Sequence, residues 1–209
     1  MYSEFILIII ITVIVIYILS KKDTRVPLKA SNGKEYLINL TVCDITNQKK
    51  AEFLSSLDEK ANNIIQYMYD NNLPNEEITK RTYSRFNKSN IGETPHGDPA
   101  AAYTINKGDI YICLITNNKF NNENDAFFVI LHELAHVMSD SFGHGDEFQI
   151  NFKFITKLAV KLNLWKDPKY ENGNIDYCGV NITNSPCTGG LCEKDSLEYY
   201  YKQALMDYL

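Results

Sequence analysis

Residues 127–136 read FFVILHELAH, an apolar run that ends in two histidines and a glutamate. A run apolar on all sides needs an interior place, so the helix that carries it is buried. His132 and His136 are four positions apart and therefore share one helix face. Two imidazoles on one face can bind a single Zn2+ at about 2.0–2.1 Å each. Glu133 points into the same cleft, where it can act as general base on a zinc-activated water. Interior polar side chains need partners, and a metal is the simplest partner for this set.

The third ligand follows by elimination. A metzincin pattern needs Gly three and His six residues after the second motif histidine. Those positions hold Ser139 and Phe142. A gluzincin pattern takes a Glu from the following helix, yet no Asp or Glu occurs between Phe148 and Trp165. His144 remains the best donor, in a Gly143-His144-Gly145 turn. Asp146 and Glu147 are the alternatives, either as ligands or as partners that orient a histidine. Three protein ligands plus a water make an open, catalytic zinc site.

The other elements are read from period and punctuation. Residues 34–40 form a strand. Helices run over 48–72, 76–86, about 123–139, about 146–164 and 196–209. Residues 102–106 and 109–116 form a hairpin joined at Lys107-Gly108. Residues 87–99 and 117–122 are loops, and 166–193 are irregular. Lys80, Arg81, Arg85 and Lys88 form a basic cluster on the second helix, read as a solvated face.

The first twenty residues stand apart. Phe5 to Leu19 is an uncharged apolar stretch. It is short for a bilayer core of about 30 Å, but flanking residues can extend it. The segment before it has no Lys or Arg, and no small-x-small site follows, so a cleaved signal peptide fits poorly. The expected organisation is a membrane anchor over 1–20, a linker over 21–33 and one domain over 34–209. Lys21, Lys22 and Arg25 follow the span, so positive-inside logic turns the domain toward the cytosol. Sequons at Asn39, Asn87 and Asn181 point the other way. They are discounted, because 22 Asn residues make sequons common by chance.

A net charge of −5 and a pI near 5.4 argue against a nucleic-acid partner. Five cysteines are too few for a disulfide scaffold. For Cys178, Cys187 and Cys192 a structural metal, a Cys187–Cys192 disulfide and free thiols all stay open. Cys113 reads as a buried core residue and His96 as a bystander. Tyr103, Tyr111 and Tyr177 are each able to donate to an oxyanion, and nothing selects among them.

HELAH followed by Gly143-His144 and Phe148 resembles the WLM and SprT-like zinc metallopeptidases. More of the chain is similar to WLM-like proteins of large DNA viruses. The matching pieces are Tyr103 to Gly108, Ile112 to Leu114, the HELAH helix, Asn151 to Ile155 and Tyr177 to Gly179. The resemblance implies an α+β, zincin-like fold: a few strands beside the HExxH helix, with a second helix behind. It implies Zn2+ on His132, His136 and His144, with Glu133 as base. Cellular relatives cleave DNA-bound proteins, a substrate that does not suit an acidic chain with an anchor.

The expected function is a membrane-anchored zinc metalloendopeptidase, with a protein or peptide substrate and a lipid membrane engaged through residues 5–19. Two alternatives stand beside it. One is a non-enzymatic virion or membrane structural protein that keeps zinc for stability. The other is a metal-dependent hydrolase of a non-peptide bond.

Overall fold

The computed structural model describes residues 6, 9–12, 23–188 and 192. Strands β1 (Val26–Lys29) and β2 (Glu35–Ile38) form an antiparallel hairpin. The first of them lies inside the stretch expected to be linker. Helix α1 spans Asp44–Asn71, starting four residues before the expected position. Its buried stripe, Leu54, Leu57, Ala61, Ile64, Ile65 and Met68, has the three- and four-residue steps of one helix face. Asn72 ends it in the left-handed conformation, at φ 57°. Helix α2 (Glu76–Phe86) begins at Asn75, whose side chain accepts the Ile78 amide at 2.9 Å.

A three-stranded sheet of order β3-β5-β4 follows. Strand β3 (Ile91–Glu93) is parallel to β5 (Asp109–Ile112) and buried throughout. It falls within the expected loop 87–99, and Glu93 disguised it. That carboxylate is buried against the Lys50 ammonium at 2.8 Å and also accepts the Asn39 amide, so its charge is paired. Strand β4 (Ala102–Ile105) pairs with β5 as the expected hairpin. The turn centres one residue earlier than Lys107-Gly108: Asn106 and Lys107 take positive φ. The strand expected over 109–116 breaks after Ile112: its last two residues form β6 (Ile115–Thr116), which pairs with β7 (Lys119–Phe120) from the expected loop 117–122 as a small second hairpin.

Helix α3 (Glu123–Met138) carries the motif, and helix α4 (Asp146–Lys161) packs behind it. Phe127, Ile130, Leu131, Leu134, Ala135, Val137 and Met138 of α3 are all buried. The helix also packs on α1, α2, β4 and β5, so it runs through the middle of the core. Within the region expected to be irregular, β8 (Ile175–Tyr177) and β9 (Val180–Ile182) form a hairpin that pairs with no other strand among the described residues.

The α+β layout matches the sequence reading, but the transmembrane helix in front of it does not hold. Among the described residues no helix is long and apolar enough to cross a membrane. Helix α1 has the length but alternates charged and apolar faces, and α3 has the apolarity but only 16 residues. The expected span over 5–19 lies, apart from Ile6 and Ile9 to Thr12, outside the described residues. The cytosol-facing orientation was argued from that span and from Lys21, Lys22 and Arg25, and of these flanking residues only Arg25 lies among the described residues. The helix expected over 196–209 is also outside the described residues.

The cysteines depart from the reading too. Cys113 is bonded to Cys178, and Cys187 to Cys192. Cys113 is therefore a tether rather than an inert core thiol. The Cys187–Cys192 disulfide is one of the alternatives left open for that trio, the pairing of Cys178 with Cys113 was not among them, and only Cys43 is a free thiol among the described residues.

Candidate metal centre

Helix α3 delivers His132 and His136 to one face, one turn apart. The chain then leaves the helix at Ser139 and turns through Gly143, where φ is +79°, before entering α4. A side chain at Gly143 would be strained in that conformation. The turn folds His144 back over the helix. His144 Nε2 lies 3.0 Å from His132 Nε2 and 3.2 Å from His136 Nε2. Among the described residues this is the one group of three or more metal-ligating side chains that converges. Asp146 and Glu147 are not part of it.

The donor set fits a zinc ion. Three nitrogens at 2.0–2.1 Å from one tetrahedral ion sit about 3.3 Å apart. A neutral imidazole carries one proton, so a hydrogen bond from His144 Nε2 can serve one neighbour at a time. One cation meets all three lone pairs together. Burial, reinforced by the neighbouring histidines, lowers the pKa of His132 to about 3. Burial with His144 and Lys107 lowers that of His136 to about 4. Both are neutral at ordinary pH, which is the ligating form.

Phe148, 1% exposed, touches all three rings. Its centroid is 4.8 Å from that of His132, 4.4 Å from His136 and 4.7 Å from His144. The first buried turn of α4 thus forms the floor under the histidines and limits their rotation.

Glu133 is buried beside His132, and burial raises its carboxyl pKa to about 7. The Thr104 hydroxyl of β4 acts the other way, donating to Glu133 Oε2 at 2.7 Å. Both residues line a cleft of about 320 Å3 together with the three histidines and Lys107. Among the described residues strand β4 has a partner on one side only, which leaves its other edge unpaired along this cleft. A second cavity of about 360 Å3 meets the first at Ala102, His132 and Glu133.

The loop that bears His144 is fixed from behind. Arg81 donates to the Met138 carbonyl at 2.8 Å, and Arg85 to the Val137 carbonyl at 2.9 Å and the Ser139 carbonyl at 3.1 Å. These bonds satisfy carbonyls left open at the end of α3, where cations are also favoured by the helix dipole. Asp140 pairs with both arginines. Glu147 accepts the Asp140 and Ser141 amides at 2.8 Å each and also contacts Arg81. Two members of the basic cluster read as solvated are therefore a clamp. Their i, i+4 spacing was the available signal; their targets lie more than fifty residues away in sequence.

Of the other candidates, His96 lies away from the cluster and takes part in none of it. Tyr177 is buried, and its hydroxyl donates to the Cys113 carbonyl at 2.6 Å. Tyr111 packs under the Arg25 guanidinium at 4.1 Å. Tyr103 lines the cleft beside the three histidines. Thr104 was not anticipated, because its role depends on how β4 lies against α3.

No family model matches the chain, and no solved structure does. Similar proteins are viral. An uncharacterized protein of Acanthamoeba polyphaga mimivirus is 28% identical over 179 residues, covering 81% of this chain and 89% of its own. Uncharacterized proteins of Invertebrate iridescent virus 6 and Invertebrate iridescent virus 3 are 32% and 41% identical over 87 and 70 residues. The chain spans less than half of each of these two relatives, 49% and 43%.

Proposed function

We propose that this chain is a zinc-dependent metalloendopeptidase of the WLM and SprT-like kind. The observation that carries the reading is the convergence of three imidazole nitrogens beside a buried glutamate, under an unpaired strand edge. His132, His136 and His144 would hold the ion. Bound there, zinc would supply Lewis acidity toward a carbonyl oxygen and a water.

The chain's own groups do the rest. An extended peptide adds to the free edge of β4 by main-chain hydrogen bonds, which brings its carbonyls over the cleft. Glu133 Oε2 is held by Thr104, which leaves Oε1 to accept a proton from the attacking water. The same carboxyl then returns the proton to the departing amine. Burial holds the Glu133 carboxyl above the ordinary carboxylate range in the metal-free chain, the direction that helps a group return a proton as well as take one. Phe148 and the clamp on the 139–145 loop keep the three imidazoles in place.

The test is the Glu133→Gln variant of the full chain, loaded with zinc and given a mixed library of unstructured peptides. Cleavage is read by mass spectrometry. Wild type cleaves. The variant keeps its zinc and loses about 100- to 10,000-fold in rate, the usual range for a general base. Undiminished cleavage by the variant would remove Glu133 from the mechanism. Zinc without cleavage in wild type would favour a structural zinc protein.

A further inference from the structure

The cavity of about 360 Å3 next to Glu133 is not used by the chemistry described so far. It lies at the low end of the roughly 300–1,000 Å3 range of ligand pockets. Phe128 and Val129 of α3 line one wall and Ala102 of β4 another. Tyr177, Val180 and Ile182 of the β8–β9 hairpin close the third. The one charged side chain among its lining residues is Glu133, which faces both cavities. An anionic group placed in it would lose hydration beside the Glu133 carboxyl, whereas an apolar one gains from its mostly apolar walls.

The hairpin wall has few supports. A two-stranded hairpin is marginal alone, and among the described residues this one pairs with no other strand. Its Ile175 and Ile182 side chains pack against the core, and its covalent and hydrogen-bonded links gather at one corner. Cys178 is bonded to Cys113 at the end of β5, the Cys178 amide donates to Thr116 Oγ1 at 2.9 Å, and Tyr177 donates to the Cys113 carbonyl. All three links involve the two residues that lead into the turn.

We propose that this pocket receives a bulky apolar side chain of the peptide, adjacent to the bond that is cut, and that the Cys113–Cys178 disulfide positions its hairpin wall. The proposal rests on the metallopeptidase reading. A peptide lying along β4 passes Thr104 and Ala102, so the residue beside the reacting carbonyl reaches the pocket mouth shared by His132 and Glu133. The cysteines are positioning residues; they touch no substrate.

The experiment uses zinc-loaded full-length protein and a peptide series that varies one position between Leu, Phe, Ala and Asp. Hydrolysis is followed with wild type, and binding by fluorescence anisotropy with Glu133→Gln. Leu and Phe peptides are preferred over Asp by at least about tenfold in kcat/KM and in affinity. In the Cys113→Ser/Cys178→Ser double variant the Leu-over-Ala ratio collapses through KM, while zinc content and kcat on the Ala peptide stay. A merely structural disulfide would lower both peptides alike. Val180, 51% exposed, gives a variant that keeps the disulfide. Val180→Glu turns the preference away from apolar side chains. Hydrolysis without apolar preference, or a preference unmoved by Val180→Glu, overturns the pocket and spares the peptidase. Apolar-selective binding without hydrolysis in wild type overturns the peptidase and spares the pocket. Neither binding nor hydrolysis overturns both.

Discussion

The Thr104 hydroxyl donates to Glu133 Oε2 at 2.7 Å, so strand β4 holds the carboxylate that helix α3 presents. The strand that would receive the peptide is thereby coupled to the group that would move the proton. Thr104→Val keeps the shape and removes the donor. Hydrogen bonds to charged groups contribute about 1.5–3 kcal/mol. We expect kcat to fall roughly tenfold or more with zinc content unchanged. The checks are steady-state kinetics and elemental analysis on the same preparation. An unaltered kcat would show that the bond does not orient Glu133.

Glu133 also sets a pH dependence of stability in the metal-free protein. Its folded pKa is raised to about 7 from 4.5. Between these values the folded state holds a proton that the unfolded state has released. Stability therefore falls as pH rises through this window and stays low above it. The full cost is about 3 kcal/mol. Glu133→Gln removes it, so at pH 8 the variant melts higher by roughly 6–12 °C, and at pH 4 the two proteins melt together. Metal-free thermal denaturation at both pH values decides this. Equal melting at pH 8 would mean that the carboxylate is not buried at a cost.

Glu147 ties the Asp140 and Ser141 amides to α4, and Arg81 and Arg85 tie the end of α3 to α2. None of these side chains belongs to the converging donor set, yet together they hold the loop that carries His144. Glu147→Gln and Arg85→Met are expected to weaken zinc affinity by about 10- to 100-fold, as loss of supporting partners does at metal sites. Competition with a chelator measures it. Wild-type affinity in both variants would show that the loop holds His144 without the clamp.

Sequence alone reached the helix and its motif because both are local. The apolar run and the four-residue histidine spacing lie within one element, and Gly143 marks the turn that returns His144. The β4–β5 hairpin was legible for the same reason. What stayed hidden depends on partners far along the chain. Glu93 reads as a loop residue until Lys50, 43 positions earlier, pairs with it. Arg81 and Arg85 read as a solvated face until the end of α3 docks on them. The β8–β9 hairpin is short, and its anchor is a disulfide to a residue 65 positions away. The apolar N-terminal stretch gave the opposite error: composition alone suggested a span, and no described helix provides one.

The most direct test of the central claim is the zinc content of the full chain, measured by elemental analysis on wild type and His144→Ala. The account predicts one zinc per chain in wild type and a sharp loss in the variant, because His144 Nε2 stands within 3.2 Å of both motif nitrogens. A folded wild-type protein that takes up no zinc, or a His144→Ala variant that keeps its zinc at undiminished affinity, would contradict it.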